Sequence, residues 1–297
     1  MSDPWTEQVT DPSFLRGLDQ VVLTRRRRFR DDSSRPARFS MRGGGLEWVG
    51  HRRYQPGDDL RHLDWHLLAR LGRPYVRQFL SGHAERLDLL IDTSRSMTLG
   101  HPPKADVGRA LAFVFGYVAS SAGDRVASAC YSSGLSAHLP AGRGPAHRAR
   151  LLGFLAAAPS GGRTSLASSV EAFIDHNREV SQVVVLSDLL DDTVESGLTM
   201  LCERGFEVTV VRLVAECDER PEVPDGSALL VDAETGATRH VVLSPQQRER
   251  YRIQRHAESE RIARFCAGSR IAFADVKSWR PLPRLVFADM RAAGLLC

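Results

Sequence analysis

The sequence lacks the hydrophobic segments that membrane insertion and secretion require. No apolar run among its 297 residues approaches the ~20 residues that span a bilayer. Residues 1–30 carry Asp, Glu and Arg where a signal peptide would have an apolar core. The five cysteines are widely scattered and include no Cys-x-x-Cys pair, which favours reduced thiols over a disulfide framework. We therefore predict a cytoplasmic protein.

Lysine is also rare, because only Lys104 and Lys277 occur in a chain whose net charge is +4. The positive charge comes from arginine, and it is densest at Arg25–Arg28 with Arg30. Such a run suits contact with nucleic acid, acidic lipid or an acidic partner. Since no nucleic-acid-binding fold signature accompanies it, we interpret the run as a solvated surface segment. A nucleic-acid-associated protein remains an alternative.

Two predicted strands end in an aspartate. The apolar run Leu89–Ile91 leads into Asp92–Ser96, which has the pattern Asp-x-Ser-x-Ser, and the run Val183–Leu186 leads into Ser187 and Asp188. In an open α/β sheet, ligands collect beyond the carboxyl ends of the strands. A carboxylate followed by hydroxyls at the second and fourth positions can aim hard oxygens at one point, and Mg²⁺ prefers such oxygens.

A further hydroxyl comes from Thr164, on a loop flanked by Gly161 and Gly162, where glycine permits a close approach of the backbone. Taken singly, each of these polar residues would be a helix cap or a turn residue. Together and in this order they indicate a metal site with an open position for an outside acceptor. We expect Mg²⁺, with Mn²⁺ or Ca²⁺ as alternatives. The predicted ligands are Asp92, Ser94, Ser96, Thr164 and Asp188.

These five residues resemble the metal-ion-dependent adhesion site of von Willebrand factor type A domains. The resemblance implies an α/β fold with a Rossmann-like, mostly parallel sheet and helices on both faces. It also implies that a Glu or Asp of a partner completes the coordination of the metal. Strands and helices alternate from Leu87 onward, and this alternation by itself predicts a parallel sheet with covered faces.

A second resemblance, to the bacterial domain-of-unknown-function 58 family, covers residues 17–294. It rests on a signature ahead of the metal motif and on the later segment Val231–Gly236. Family members often occur with MoxR-type AAA+ ATPases, so the resemblance implies such an ATPase as partner. We interpret the signature as structural, with ion pairs, turn hydrogen bonds and Trp65 as a packing anchor. Its residues are Tyr54, Pro56, Gly57, Asp58, Asp59, Arg61, Asp64, Trp65 and Arg70.

The chain divides into three predicted segments. Residues 1–45 form an N-terminal arm that contains the arginine run and ends at three glycines. Residues 46–85 form a small strand-rich module that holds the family signature. Residues 86–297 form the domain that resembles von Willebrand factor type A, with a C-terminal hairpin and helices.

The donor set and the resemblance predict a non-enzymatic, metal-dependent protein interaction module, an adaptor or co-chaperone of the ATPase. A metal-dependent phosphohydrolase-like enzyme remains an alternative, because Asp92 at a strand end and the later Ser187-Asp188 faintly resemble haloacid-dehalogenase-type phosphatases. Those enzymes need a second carboxylate two residues after the nucleophile, and Ser94 stands there. The Gly-x-Ser-x-Gly elbow of serine hydrolases is absent from the sequence.

Overall fold

The computed structural model describes residues 3–24, 47–54, 64–80, 85–177, 179–219 and 226–297. The chain falls into a larger unit, residues 1–27 with 86–297, and a smaller unit, residues 28–85. The arginine run lies outside the described residues, and what we expect of it stays a prediction. The same holds for the signature residues Pro56, Gly57, Asp58, Asp59 and Arg61.

Two short helices near the N-terminus belong to the larger unit, α1 (Pro4–Thr10) and α2 (Pro12–Leu18). Each helix carries two apolar side chains at i, i+4 spacing, which places them on one face. Both pairs are buried in the main core, and they are Trp5, Val9, Phe14 and Leu18. The first helices of the predicted arm thus pack into the larger unit.

The smaller unit has a helix between two antiparallel strands, β1 (Glu47–Arg53), α3 (Trp65–Leu71) and β2 (Tyr75–Leu80). Asp64 caps α3, since its carboxylate accepts hydrogen bonds from two backbone N–H groups of the first turn at 3.0 and 3.1 Å. The cap fixes where the helix begins, and the side chain of Trp65 at its first position is 63% exposed. The role of Trp65 as a packing anchor between the small module and the type A core stays a prediction.

From Arg86 onward strands and helices alternate, as predicted. The strands are β3 (Arg86–Asp92), β4 (Arg125–Tyr131), β5 (Leu135–Gly142), β6 (Gln182–Ser187), β7 (Glu207–Val214), β8 (Gly226–Val231), β9 (Thr238–Leu243) and β10 (Ala272–Lys277). The helices are α4 (Lys104–Ser121), α5 (Gly144–Ala156), α6 (Leu166–His176), α7 (Val194–Glu203), α8 (Glu216–Glu219), α9 (Pro245–Gly268), α10 (Leu282–Arg284) and α11 (Met290–Ala292). A π-helical stretch, Leu285–Asp289, joins the last two helices.

The central sheet has six strands in the order β10-β7-β6-β3-β4-β5. All neighbours are parallel except β5, which pairs antiparallel with β4 at one edge. This confirms the predicted mostly parallel α/β sheet. Leu89 and Ile91 of β3 pack in one core with α4 and α5, and Leu90 packs in a second core with α6 and α7. Helices thus cover both faces, which is why Val183–Leu186 is an uninterrupted apolar run.

A hairpin and a long helix separate β7 from β10 along the chain. Strands β8 and β9 pair antiparallel with each other in a two-stranded sheet of their own. Helix α9 begins at a capping box, in which Ser244 and Gln247 exchange hydrogen bonds between side chain and backbone. Its buried residues, Ile262 and Cys266, join the core that contains α6 and α7. The hairpin is thus attached to the sheet domain at both of its ends.

Two features bear on the predicted location of the protein. All five cysteines are free thiols. In the described ranges, none of the helices combines the length and the apolar character that crossing a bilayer requires. The cytoplasmic location itself stays a prediction.

Close packing of α4 on its neighbours gives a test of the core. A methyl group at Gly116 would collide with the buried side chain of Leu151 and touch Leu89 and Val126 at 3.5 Å. We expect Gly116→Ala to lower the free energy of unfolding by about 1–3 kcal/mol in urea denaturation, because overpacking strains the core. The matched control is Gly153→Ala on α5, where nothing lies within 4 Å of the added methyl group. We expect that variant to gain up to about 1 kcal/mol from helix propensity. Equal effects of the two changes would contradict this packing.

Candidate metal centre

The first part of the candidate metal centre forms where β3 ends. Asp92 is the last residue of β3, and its Oδ1 accepts a hydrogen bond of 2.9 Å from the backbone N–H of Ser94. This closes a tight turn that leads into one turn of 3-10 helix, Arg95–Thr98. The turn places the hydroxyl oxygens of Ser94 and Ser96 3.1 Å apart. All three side chains belong to residues that are at most 6% exposed.

A second loop is joined to the first by backbone hydrogen bonds. The N–H of Gly161 donates to the carbonyl of Thr93 at 2.7 Å, and the N–H of Arg95 donates to the carbonyl of Gly162 at 3.0 Å. Gly161 and Gly162 have φ values of 133° and 91°, which favour glycine. The joined loops bring the Thr164 hydroxyl to 3.4 Å from Asp92 Oδ1. The structure therefore brings this predicted pair together.

The end of β6 supplies the third part, because β6 is the parallel neighbour of β3 with Leu186 beside Ile91. Ser187 Oγ donates to Asp92 Oδ2 at 2.6 Å and accepts the N–H of Leu189 at 2.9 Å. Asp188 follows directly and is 3% exposed. Leu189 has a φ of 56°, a strained conformation for a branched side chain. Strain of this kind is characteristic of functional sites.

Asp92 carries its negative charge at an electrostatic cost. Burial, together with the charge of Asp188, raises the pKa of Asp92 to about 7, and hydrogen bonds from Ser187 and Ser94 oppose the shift. A buried carboxylate without a counter-charge favours its neutral form. A cation at this position would remove that penalty, so the electrostatics favour a positive ion.

Lys104 was missed by the sequence analysis as part of this centre. Its side chain is fully buried, and Nζ donates to Asp188 Oδ2 at 2.8 Å and to Asp218 Oδ2 at 3.1 Å. Burial alone would lower the pKa of Lys104, but the two carboxylates outweigh burial and hold the pKa above its usual value. The available signal was that Lys104, one of only two lysines in an arginine-rich chain, stands at a helix start.

The charges and distances fit a hard divalent cation. Lys104 pairs with Asp188 and Asp218 but not with Asp92. Counted together, the three carboxylates and the lysine leave a formal charge of about −2 for a divalent ion to balance. Octahedral Mg²⁺ with ligands at its usual distance places neighbouring oxygens about 3 Å apart. The separations of 3.1 Å for Ser94–Ser96 and 3.4 Å for Thr164–Asp92 are close to that value. Among the described residues, no three His, Cys, Asp or Glu side chains gather as a group that could hold a metal ion, so hydroxyl oxygens would have to complete the ligand set.

Two further acidic residues near the candidate centre accept hydrogen bonds from different backbone groups. Asp191 accepts a hydrogen bond of 2.7 Å from the N–H of Leu166. It also accepts hydrogen bonds from the backbone N–H and the hydroxyl of Thr193, so it fixes the starts of α6 and α7. Glu234, in the turn between β8 and β9, accepts the N–H of Thr164 at 3.2 Å. Glu234 belongs to the later segment Val231–Gly236, on which the family resemblance also rests, and was not among the predicted metal ligands. Only the fold shows that this turn reaches Thr164.

The described signature residues belong to the smaller unit. Asp64 caps α3, the backbone N–H of Tyr54 donates to the carbonyl of Pro74 at 3.0 Å, and Arg70 is exposed. The structural interpretation of the signature as a whole stays a prediction.

Comparison with known proteins places the chain in a family. A family model described as "Protein of unknown function DUF58" matches residues 50–262. The chain belongs to the DUF58 family. Among the curated relatives of this DUF58 chain, uncharacterized proteins of Mycobacterium tuberculosis and Mycobacterium bovis are each 28% identical over 261 residues. That alignment covers 84% of this chain and 82% of each relative. The match confirms the family that the signature predicted.

Two solved structures are also similar to this DUF58 chain. The conserved hypothetical protein BatB from Bacteroides thetaiotaomicron has a TM-score of 0.42 and 13% identity, over 71% of this chain and 98% of that one. An aerotolerance-related membrane protein from Bacteroides fragilis has a TM-score of 0.37 and 16% identity, over 58% of this chain and 88% of that one. Similarity at this level carries no information about function.

The buried lysine gives a direct test of the charge arrangement. Lys104→Met keeps a flexible apolar stem but leaves Asp188 and Asp218 without their counter-charge. We expect the free energy of unfolding in metal-free buffer to fall by about 3–5 kcal/mol, because one partner of a buried ion pair is lost. The control is Lys277→Met, since Lys277 is 26% exposed and pairs with the exposed Glu219. That change should cost less than about 1 kcal/mol. Similar losses in both variants would contradict the role of Lys104.

Proposed function

We propose that this protein is a non-enzymatic, metal-dependent protein interaction module with a domain of the von Willebrand factor type A kind. The observation that carries the proposal is the convergence of oxygens where β3 and β6 end side by side. The Ser94 and Ser96 hydroxyls lie 3.1 Å apart, and the Thr164 hydroxyl is 3.4 Å from Asp92. We assign the metal to Asp92, Ser94, Ser96, Thr164 and Asp188, with Mg²⁺ as the expected ion.

The proposed ligands contribute to metal binding in two ways. Asp92 and Asp188 supply charge, while the three hydroxyls supply neutral oxygens that leave the ion attractive to a further anion. A bound divalent cation would supply a coordination position for a carboxylate oxygen of a partner. Thr164 is the partly exposed member of the set, and the others are at most 6% exposed. A partner would therefore approach from the side of Thr164.

The hydrogen bonds of Asp92 favour binding over catalysis. Oδ1 accepts the N–H of Ser94, and Oδ2 accepts the hydroxyl of Ser187 at 2.6 Å. A nucleophilic carboxylate needs an accessible oxygen and a nearby acid, yet Asp92 is buried and Ser94 occupies the position of that acid. We therefore propose that Asp92 holds a metal and forms no covalent intermediate.

The partner that the family resemblance implies is a MoxR-type AAA+ ATPase in the cytoplasm. A carboxylate of such an ATPase would complete the metal coordination, which makes the contact both directional and dependent on the metal. This protein would then act as an adaptor or co-chaperone that links the ATPase to a client. Its own residues hold the ion and exclude water, and the partner supplies the acidic side chain.

Magnesium binding can be measured without knowledge of the partner. At a Mg²⁺ concentration of about 100 times Kd, binding should stabilise the wild-type fold by about 2.7 kcal/mol. In thermal unfolding this corresponds to a rise in Tm of about 5–10 °C. Asp92→Asn should fold but lose the rise, because a neutral amide replaces the charged ligand. Asp175→Asn, an exposed change of the same kind on α6, should keep the rise. A wild-type Tm that does not respond to Mg²⁺, Mn²⁺ or Ca²⁺ would refute the metal site.

The partner is tested by affinity capture from lysate of the source organism. We expect an AAA+ ATPase to be recovered by wild-type protein in Mg²⁺, and to be lost in EDTA or with Asp92→Asn. Asp175→Asn should recover the same ATPase as wild type, which controls for general charge effects. Recovery that is independent of both the metal and Asp92 would show that partner binding uses another surface.

A further inference from the structure

The turn between β8 and β9 is built to hold one carboxylate in place. Oδ1 of Asp232 accepts the backbone N–H groups of Glu234 at 3.0 Å and Thr235 at 2.6 Å. The N–H of Gly236 returns to the carbonyl of Asp232 at 2.9 Å, and Gly236 has a φ of 70°. These bonds fix the backbone on both sides of Glu234, so its side chain starts from a defined position.

The same turn contacts the rim of the proposed metal centre. Oε2 of Glu234 accepts the N–H of Thr164 at 3.2 Å, and the hydroxyl of Thr164 is 3.4 Å from Asp92. The guanidinium of Arg163 also attracts Asp232, whose pKa is lowered mainly by its hydrogen bonds with Thr235. Glu234 is half-buried while the neighbouring Thr235 is exposed. One residue, Thr164, thus links Asp92 to a carboxylate from elsewhere in the chain.

The rest of the hairpin is weakly held. Leu229, Val231 and Val242 are 52%, 60% and 65% exposed, so the strands bury little apolar surface. Strands β8 and β9 pair with each other and with no other described strand. A two-stranded hairpin alone is marginally stable, and segments with few buried contacts open most easily. Displacing the tip would therefore disturb little else in the fold.

We propose that Glu234 is a built-in competitor for the carboxylate that a partner would bring to the metal centre. The inference rests on the proposed function. Glu234 lies on the side of Thr164, from which an outside carboxylate would have to approach. Without a cation, the charge of Asp92 repels it, so a bound ion would turn its position from unfavourable to favourable. Because Glu234 is tethered by the hairpin, its effective concentration at the rim is in the millimolar range. A partner must displace it, and the hairpin thereby sets a threshold for binding.

The test uses the full-length chain, with Mg²⁺ as one probe and acetate as a minimal carboxylate. Mg²⁺ affinity is measured by isothermal titration calorimetry, with sodium acetate or with sodium chloride at equal ionic strength. In Glu234→Gln the competitor is neutral but keeps its shape, so we expect acetate to tighten Mg²⁺ binding about threefold or more by linkage. In wild type we expect no change, because Glu234 already serves that position. Asp232→Asn is the matched control, since it removes a charge from the same turn while its amide oxygen can still accept both hydrogen bonds.

The possible outcomes distinguish failure of the competitor role of Glu234 from failure of the proposed metal site. An acetate effect confined to Glu234→Gln supports the competitor role. The same acetate effect in wild type and Glu234→Gln, or none in either, overturns that role while leaving Mg²⁺ binding intact. If Mg²⁺ binds wild type no more tightly than it binds Asp92→Asn, the metal centre itself fails and the inference falls with it. An acetate effect in Asp232→Asn equal to that in Glu234→Gln would assign the result to general charge and overturn the specific role of Glu234.

Discussion

Buried negative charge at the carboxyl ends of neighbouring strands is the constraint on which the arrangement around the metal centre depends. β3 ends in Asp92 and its parallel neighbour β6 is followed by Asp188, and both aspartates are at most 3% exposed. Charges buried together are stable only when counter-charges or hydrogen bonds compensate them. The fold provides both, since Ser187 donates to Asp92 and Lys104 pairs with Asp188. The sheet order makes this compensation possible, because it places the ends of β3, β6 and β7 side by side.

Local patterns in the sequence predicted the elements and much of the centre. Long apolar runs such as Val183–Leu186 mark strands that are covered on both faces. The Asp-x-Ser-x-Ser pattern sets its turn geometry locally, so the roles of Asp92 and Ser94 could be predicted from the sequence. The partners Lys104, Asp218 and Glu234 could not be predicted, because their positions depend on which strand ends become neighbours and on where the β8–β9 hairpin lies.

The candidate centre has a rigid part, formed by the sheet and two joined loops, and a weakly held part, the β8–β9 hairpin. A backbone hydrogen bond of 2.7 Å joins the Thr93 and Gly161 loops, and the parallel strands β3 and β6 position the two aspartates. In contrast, the β8–β9 hairpin has exposed strands and touches the rim through Glu234. Binding sites work best when their ligands are preorganised, whereas regulation needs an element of low local stability. The two requirements are met here by different segments of the same unit.

Lys104 raises the question of whether the lysine itself is the cation of the centre. Its ammonium contacts Asp188 and Asp218 together, and Asp218 is further held by the N–H of Ala215 at 2.9 Å. One positive charge shared between two carboxylates leaves about one negative charge on that side. Asp92 lies with the hydroxyls of Ser94 and Ser187, which are neutral and cannot compensate its charge when it is ionised. Lys104 therefore compensates Asp188 and Asp218 but not Asp92, and this is the charge that the proposed divalent ion would balance.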